Sequence, residues 1–267
     1  MSDATSSPLV VENLRVAYGD RVILDGIDFA LRKHEVLVIL GPSGCGKSTL
    51  LRTLIGLVEP ARGRALLLGQ DLRDLPRDER RELLREIGVA FQGSALLGSL
   101  TVGENVALPL REHTQLDPNT IEIMTRLKLG QVGLPKAENL YPDQLSGGMK
   151  KRAGIARALA MDPKLLFLDE PSAGLDPITS ASLDQLLKQL ASSLDLTTVV
   201  VTHELESAFD IADRMLMLHA GKVLALGTPD ELRRNEDPRV RQFLDRLPDP
   251  EQAPSEGLVE RLTRGSQ

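Results

Sequence analysis

The sequence predicts an α/β fold with an antiparallel β portion near its start and a helical subdomain inserted further on. Three observations carry this. Short β-type runs alternate with helical stretches along the 267 residues. Two runs, Val36–Leu40 and Leu165–Leu168, are continuously apolar, as strands buried on both faces are. The earliest β-type runs follow one another with no helix between them, which points to antiparallel pairing before a parallel sheet begins.

In chain order, strands are expected at Leu9–Arg15, Ile23–Leu31, Val36–Leu40, Ala65–Leu68 and Val89–Phe91, then at Leu165–Asp169, Thr198–Thr202, Arg214–Leu218 and Val223–Leu226. A helix over Ser48–Leu57 follows a glycine-rich turn. From about Gly93 to Met161 strand signals thin out, which sets the helical subdomain at residues 93–161; Thr101 with Glu104 forms a capping box inside it. Asp176 before Pro177 reads as an N-cap with proline at the first helical position, opening a helix to about Leu194. Thr228-Pro229-Asp230-Glu231 is a further capping box. Val240, Phe243, Leu244 and Leu247 recur at helical spacing, and this stretch either docks on a neighbouring subunit or packs on its own domain. The organisation is a short N-terminus at 1–8, one domain at 9–246 and a tail at 247–267. That tail, rich in Pro, Glu, Ser and Gly, is expected to be loosely ordered.

Composition narrows the function. Hydrophobic residues at 42% and charged residues at 26% are the balance of a globular protein with a sizeable core. Aromatics are 3% with no Trp, against a stacking platform for single-stranded nucleic acid. The net charge of −6 argues against a broad basic face, so no nucleic-acid partner is expected. A single cysteine, Cys45, excludes an internal disulfide and any multi-Cys zinc site. No run approaches the roughly 18 apolar residues of a membrane span. The small, polar N-terminus carries no signal-peptide apolar region, and the chain reads as cytosolic and soluble by itself.

Gly41-Pro42-Ser43-Gly44-Cys45-Gly46-Lys47-Ser48-Thr49 fits the phosphate-loop pattern G-x-x-x-x-G-K-[ST], after an apolar strand and before a helix. Glycines let backbone N–H groups converge on a polyphosphate, and the helix N-terminus adds partial positive charge. Lys47 would reach the β- and γ-phosphates and the Ser48 hydroxyl would bind Mg²⁺. Cys45 occupies a free position of the pattern and reads as backbone filler. Leu165–Glu170 is then an apolar strand that ends in two carboxylates. Asp169 would hold Mg²⁺ and Glu170 would polarise the attacking water as general base. Leu145-Ser146-Gly147-Gly148-Met149 precedes a helical run to Met161; Ser146 can cap that helix, and the glycines expose its N–H groups as a second anion site. Leu165 lies 19 residues after Ser146 (165 − 146), room for one helix. The Lys150–Arg152 run reads as a solvated helix start that could also steer nucleotide. His34, His113 and His219 read as surface or structural residues.

With this ordered set on one chain, the sequence resembles the ATP-binding subunits of ABC transporters over Leu9–Leu232. The set is the phosphate loop, Gln92 at a strand end, LSGG(M), LLFLDE, Ser172-Ala173-Gly174-Leu175-Asp176 and His203; Met149 departs from the commoner Gln. The resemblance implies a P-loop NTPase (RecA-like) core with an antiparallel β subdomain and an inserted helical subdomain, binding ATP and Mg²⁺. It implies a head-to-tail homodimer, with each ATP between one chain's Lys47 loop and the other's Ser146–Gly148. Tyr18 matches the aromatic that stacks on adenine. Gln92 matches the residue linking Mg²⁺ and water to a transmembrane partner. Asp176 matches a loop crossing the interface, and His203 a γ-phosphate contact. A guanine-reading N/T-K-x-D motif is absent. Long coiled-coil insertions or a second cassette, which soluble ABC ATPases need, do not fit in this length.

Within the family the chain is most similar to the phospholipid-transport (Mla, MCE-associated) ATPases. The residues behind this are Phe91–Leu97, Thr101–Leu110, Met149 and Ser172–Ala173. That resemblance implies integral-membrane permease subunits, an MCE lipid-binding partner, a small STAS-type subunit and a place on the cytoplasmic face of the inner membrane. An amino-acid or other small-solute importer ATPase is the alternative.

Overall fold

The computed structural model describes residues 7–247; the expectations for the first six residues and for the tail after 247 lie outside the described residues. The chain opens with β1 (Leu9–Tyr18), β2 (Arg21–Leu31), β3 (Val36–Leu40) and α1 (Lys47–Leu54). Then come β4 (Arg62–Leu67), β5 (Gln70–Asp71), α2 (Arg77–Arg85) and β6 (Ile87–Ala90). Three helices follow, α3 (Val102–His113), α4 (Pro118–Gln131) and α5 (Gly147–Ala158). The second half alternates β7 (Leu165–Asp169), α6 (Pro177–Ser193), β8 (Thr197–Val201), α7 (Leu205–Ile211), β9 (Arg214–His219) and β10 (Lys222–Gly227). It closes with α8 (Pro229–Arg233) and α9 (Pro238–Leu244).

Two sheets result. The first pairs its strands antiparallel in the order β2-β1-β4-β5. The second runs β10-β9-β3-β8-β7-β6 and is parallel except for the β9–β10 hairpin. Side chains of a strand alternate between faces, and β3 shows the consequence. Val36, Val38 and Leu40 join a core shared with α5, α6 and α7, while Leu37 and Ile39 join a core shared with α1 and the antiparallel sheet. That double burial is why the run is apolar throughout. Helices α3, α4 and α5 pack on one another, with Ala107, Leu110, Ile121 and Ala160 as a small core of their own.

Local chemistry sets the helix starts. The Thr101–Glu104 and Thr228–Glu231 boxes are both formed, and Asp176 caps α6 before Pro177. Several bounds differ from expectation. α1 stops at Leu54, not Leu57, because Gly56 adopts φ +75° and turns the chain. α5 ends at Ala158 rather than Met161. β1 extends to Tyr18, past Arg15. β5 and α2 were not expected: β5 is two residues long, and α2 is a charged helix burying only Leu83. Val240 is fully buried, with Phe243 and Leu244 against the same core, so this stretch packs on its own domain. Leu247 is exposed.

Candidate functional site

Parallel, in-register pairing brings the carboxyl ends of β3, β8, β7 and β6 to one edge: Ile39 faces Val201, Asp169 faces Val201 and Ala90 faces Leu168. Ligands of open parallel sheets bind outside such an edge. The loop after β3 is shaped by two glycines. Gly41 has φ +149°, and a Cβ there would sit 2.1 Å from the Leu218 carbonyl oxygen. Gly46, the residue before α1, has φ +110°, and its Cβ would sit 2.6 Å from Leu24. Neither position admits a side chain. α1 has no side-chain cap and no acidic residue in its first turn, so its N–H groups remain available to an anion. Ser43, Gly44 and Ser48 are exposed, Pro42 and Thr49 half-buried. Lys47 is buried and its ammonium donates to the Gly41 and Pro42 carbonyls at 2.7 and 3.2 Å, folded along the loop it serves. Burial pushes the Cys45 thiol up, so it stays protonated; it packs in the core.

At the end of β7, Asp169 has its titration pushed up, first by burial and then by the charge of Glu170, against Arg52, Lys151 and Lys47. Its Oδ1 is buried with no hydrogen-bond partner among the described residues. A desolvated carboxylate with a spare oxygen is what a hard cation satisfies. Ser48, the exposed second residue of α1, lies on a helix that packs against β7. These donors suit Mg²⁺, completed by phosphate and water oxygens; no cluster of three or more His, Cys, Asp or Glu among the described residues would hold a metal without them.

Glu170 sits at φ +49° and is buried. Its Oε2 accepts from the Thr202 hydroxyl at 3.2 Å and the His203 N–H at 3.4 Å, and its Oε1 lies 2.9 Å from His203 Nδ1. An ionised carboxylate only accepts, so Nδ1 carries the hydrogen in this pair. The His203 ring remains largely exposed. Thr202 also accepts from the Glu204 N–H at 3.1 Å, which fixes its hydroxyl toward Glu170. Sequence reasoning missed Thr202; the available signal was a hydroxyl after three consecutive valines, directly before His203.

The expectation for Lys150–Arg152 needs correction. Lys151 is half-buried, and its ammonium donates to the Gln92 carbonyl at 2.5 Å and the Glu170 carbonyl at 2.8 Å. Burial lowers its titration, partly offset by Glu170, Asp169 and Glu204. Arg152 donates to Val132 and Ser182. Carbonyls from other segments, not solvent, take these donors. The Gln92 side chain is exposed just beyond β6.

Ser146, Gly147 and Asp176 form a separate exposed ledge. Ser146 caps α5 through the Met149 N–H at 3.3 Å. Asp176 accepts from Ile178 and Thr179, and these bonds hold its carboxyl below the usual range. Gly148 lets α5 and α6 meet, since a Cβ there would lie 2.6 Å from Thr179. No hydrogen bond or ion pair among the described residues joins this ledge to the Gly41–Thr49 loop. Tyr18 ends β1 at a two-residue turn and is 50% exposed. His34 bonds Thr197 and Asp195, a structural role.

A glycine-shaped loop between β3 and α1, with two carboxylates at the exit of a neighbouring parallel strand, is the arrangement of a P-loop NTPase. The family model described as ABC transporter matches residues 24–173, and the chain belongs to that family. It is 43% identical over 234 residues to the intermembrane phospholipid transport system ATP-binding protein MlaF of Haemophilus influenzae, covering 88% of this chain and 89% of that one. It is 39% identical over 249 residues to MlaF of Escherichia coli K12, covering 93% of each. It is 40% identical over 235 residues to the probable ribonucleotide transport ATP-binding protein mkl of Mycobacterium bovis, covering 88% of this chain and 66% of that protein. Among solved structures it matches the dimeric post-hydrolysis state of the cassette MJ0796 with ADP and Pi. There the TM-score is 0.76 and the identity 32%, over 83% of this chain and 98% of that one.

Proposed function

We propose that this ATPase is the motor subunit of a phospholipid transporter, working as a head-to-tail homodimer on integral-membrane permease subunits. The carrying observation is that one chain holds both an uncapped phosphate-loop helix and a separate Ser146–Gly148 helix start whose Ser146 and Gly147 are exposed. Each half supplies what the other copy lacks. Mg²⁺ would be held by Ser48, Asp169 and Gln92 and would neutralise charge on the phosphates. Lys47 and the N–H groups after Gly41 bind and orient the polyphosphate, and Tyr18 offers an exposed ring to the adenine. Glu170 takes the proton from the attacking water, His203 on its far side meets the γ-phosphate, and Asp176 borders the interface. ATP closes the pair because its phosphates complete the interface, and product release reopens it.

The phospholipid reading is supported by the MlaF relatives, alike over nearly the whole chain. An MCE lipid-binding subunit and a STAS-type subunit belong to the same reading, as does a place on the cytoplasmic face of the inner membrane. No helix among the described residues is long and apolar enough to cross a membrane, and in this reading the permease subunits carry the lipid path. The mkl relative carries a second reading, ribonucleotide transport.

The test is Glu170→Gln. Removing a general base lowers kcat by about 100- to 10,000-fold, and the ATP-bound dimer should accumulate on size exclusion. Persistent turnover, or no stabilised dimer, sinks the motor reading. Captured from solubilised membranes and analysed by mass spectrometry, the same variant should bring down a permease and phospholipid; an amino-acid or nucleotide permease overturns the lipid assignment.

A further inference from the structure

We propose that Lys151 is a positioning residue that ties the Ser146–Gly148 ledge to the catalytic edge of its own chain, so that what one ATP site binds is felt at the other. This rests on the reading above, in which the ledge meets the partner's ATP and Glu170 and Gln92 serve the chain's own site. Lys151 lies on α5, five residues after Ser146 (151 − 146), about 7.5 Å along the axis. Its ammonium grips two carbonyls from two different segments, Gln92 after β6 and Glu170 after β7.

Both grips fall where backbone position matters. Glu170 holds φ +49°, a region that a residue with a side chain occupies only when its surroundings over-determine it. Its N–H is fixed by the Val201 carbonyl, from the sheet; its carbonyl accepts from the Lys151 ammonium, on α5, at 2.8 Å and from the Ala173 N–H of its own turn at 3.3 Å. The segment after Gln92 is held by the same helix a second time, because Arg157 donates to the Ser94 and Ala95 carbonyls at 2.9 and 2.7 Å. Arg157 reaches only that segment. Lys151 alone among these donors spans both, so a rigid shift of α5 carries the Gln92 and Glu170 peptides with it.

The experiment compares Lys151→Met and Lys151→Arg in the full-length protein, with steady-state MgATP hydrolysis and Glu170→Gln run alongside. Misplacing a general base by a fraction of its hydrogen-bond length costs about 10- to 100-fold. Lys151→Met should therefore lose that much kcat with KM for ATP nearly unchanged, and its Hill coefficient should fall toward one. Lys151→Arg should recover most of the loss, since a guanidinium also offers donors to both carbonyls. Should the Met variant fail to fold, Lys151→Gln is judged by the same criteria. If Glu170→Gln is inactive while Lys151→Met keeps its kcat, this inference falls and the site reading stands. A loss that Arg does not restore, or a change confined to KM or to melting temperature, also overturns it. If Glu170→Gln still turns over, the underlying reading is what fails.

Discussion

Two helix N-termini on this chain face anions in different ways. α1 begins after Gly46 in a left-handed conformation, has no side-chain cap and keeps a lysine at its first position. α5 begins after Ser146 in an extended conformation and caps itself through that hydroxyl. The first is a socket with unmet donors, whose lysine rests on its own loop carbonyls until a phosphate displaces them. The second meets one N–H, that of Met149, with its own cap and presents its start as a surface. A socket gains binding energy alone, whereas a surface gains it when something else brings the anion. Binding and turnover should therefore separate cleanly between the two.

The largest effects test that separation. Lys47→Ala removes the charged donor from the socket and should weaken ATP binding about 100-fold, or about 2.7 kcal/mol, read by titration with a fluorescent nucleotide. Ser146→Asp keeps an equally good cap while placing a negative charge where the phosphate should lie. Its affinity as a monomer should be unchanged while turnover collapses. Mixing the two variants then discriminates: a mixed dimer has one site with both lesions and one with neither, so activity should return. If it does not, the halves do not meet across a head-to-tail pair.

The same contrast explains what could be read from the sequence. The socket is contiguous: strand, glycines, lysine and helix lie within Val36–Leu54, and each residue type declares its role. The caps at Thr101, Asp176 and Thr228 are equally local. What stayed hidden depends on partners far along the chain. Lys151 meets Gln92 and Glu170 at separations of 59 and 19 residues, and Thr202 meets Glu170 at 32. In the sequence Lys151 is one of three adjacent cations, indistinguishable from a solvated helix start. α2 is hidden for the opposite reason, since RDERRELLR offers only Leu83 and Leu84 as apolar residues, packed on one core, and is held besides by Arg80 donating to the Gly56 carbonyl.

An intermediate effect sharpens the socket's side. Thr202 is fully buried and its hydroxyl points at Glu170 Oε2. Thr202→Val keeps the shape and deletes that bond, leaving Glu170 to His203 alone. A loss of about tenfold in kcat is expected, equivalent to about 1.4 kcal/mol, with ATP affinity unchanged. An unchanged kcat would mean that His203 suffices to hold the carboxylate.

The smallest effect compares one aspartate from each region, in protein free of nucleotide and metal. Asp169 titrates above its ordinary 3.8 because burial disfavours the charge, and Asp176 titrates below 3.8 because Thr179 and Ile178 bond the charged form. A raised acid binds protons more readily folded than unfolded, so its contribution is present at low pH and is lost as pH rises from the unfolded value through the folded one. A lowered acid does the reverse: it stabilises above the unfolded value, and that is lost as pH falls toward the folded one. Asp169→Asn should therefore melt higher than the parent at neutral pH, with the gain fading as the medium is acidified. Asp176→Asn, which still caps α6, should melt slightly lower at neutral pH, with the deficit fading in acid. Thermal melts of both variants across that range decide the point. Saturating MgATP should then reverse the sign at Asp169, because a carboxylate that is a burden in the empty socket becomes a ligand in the filled one.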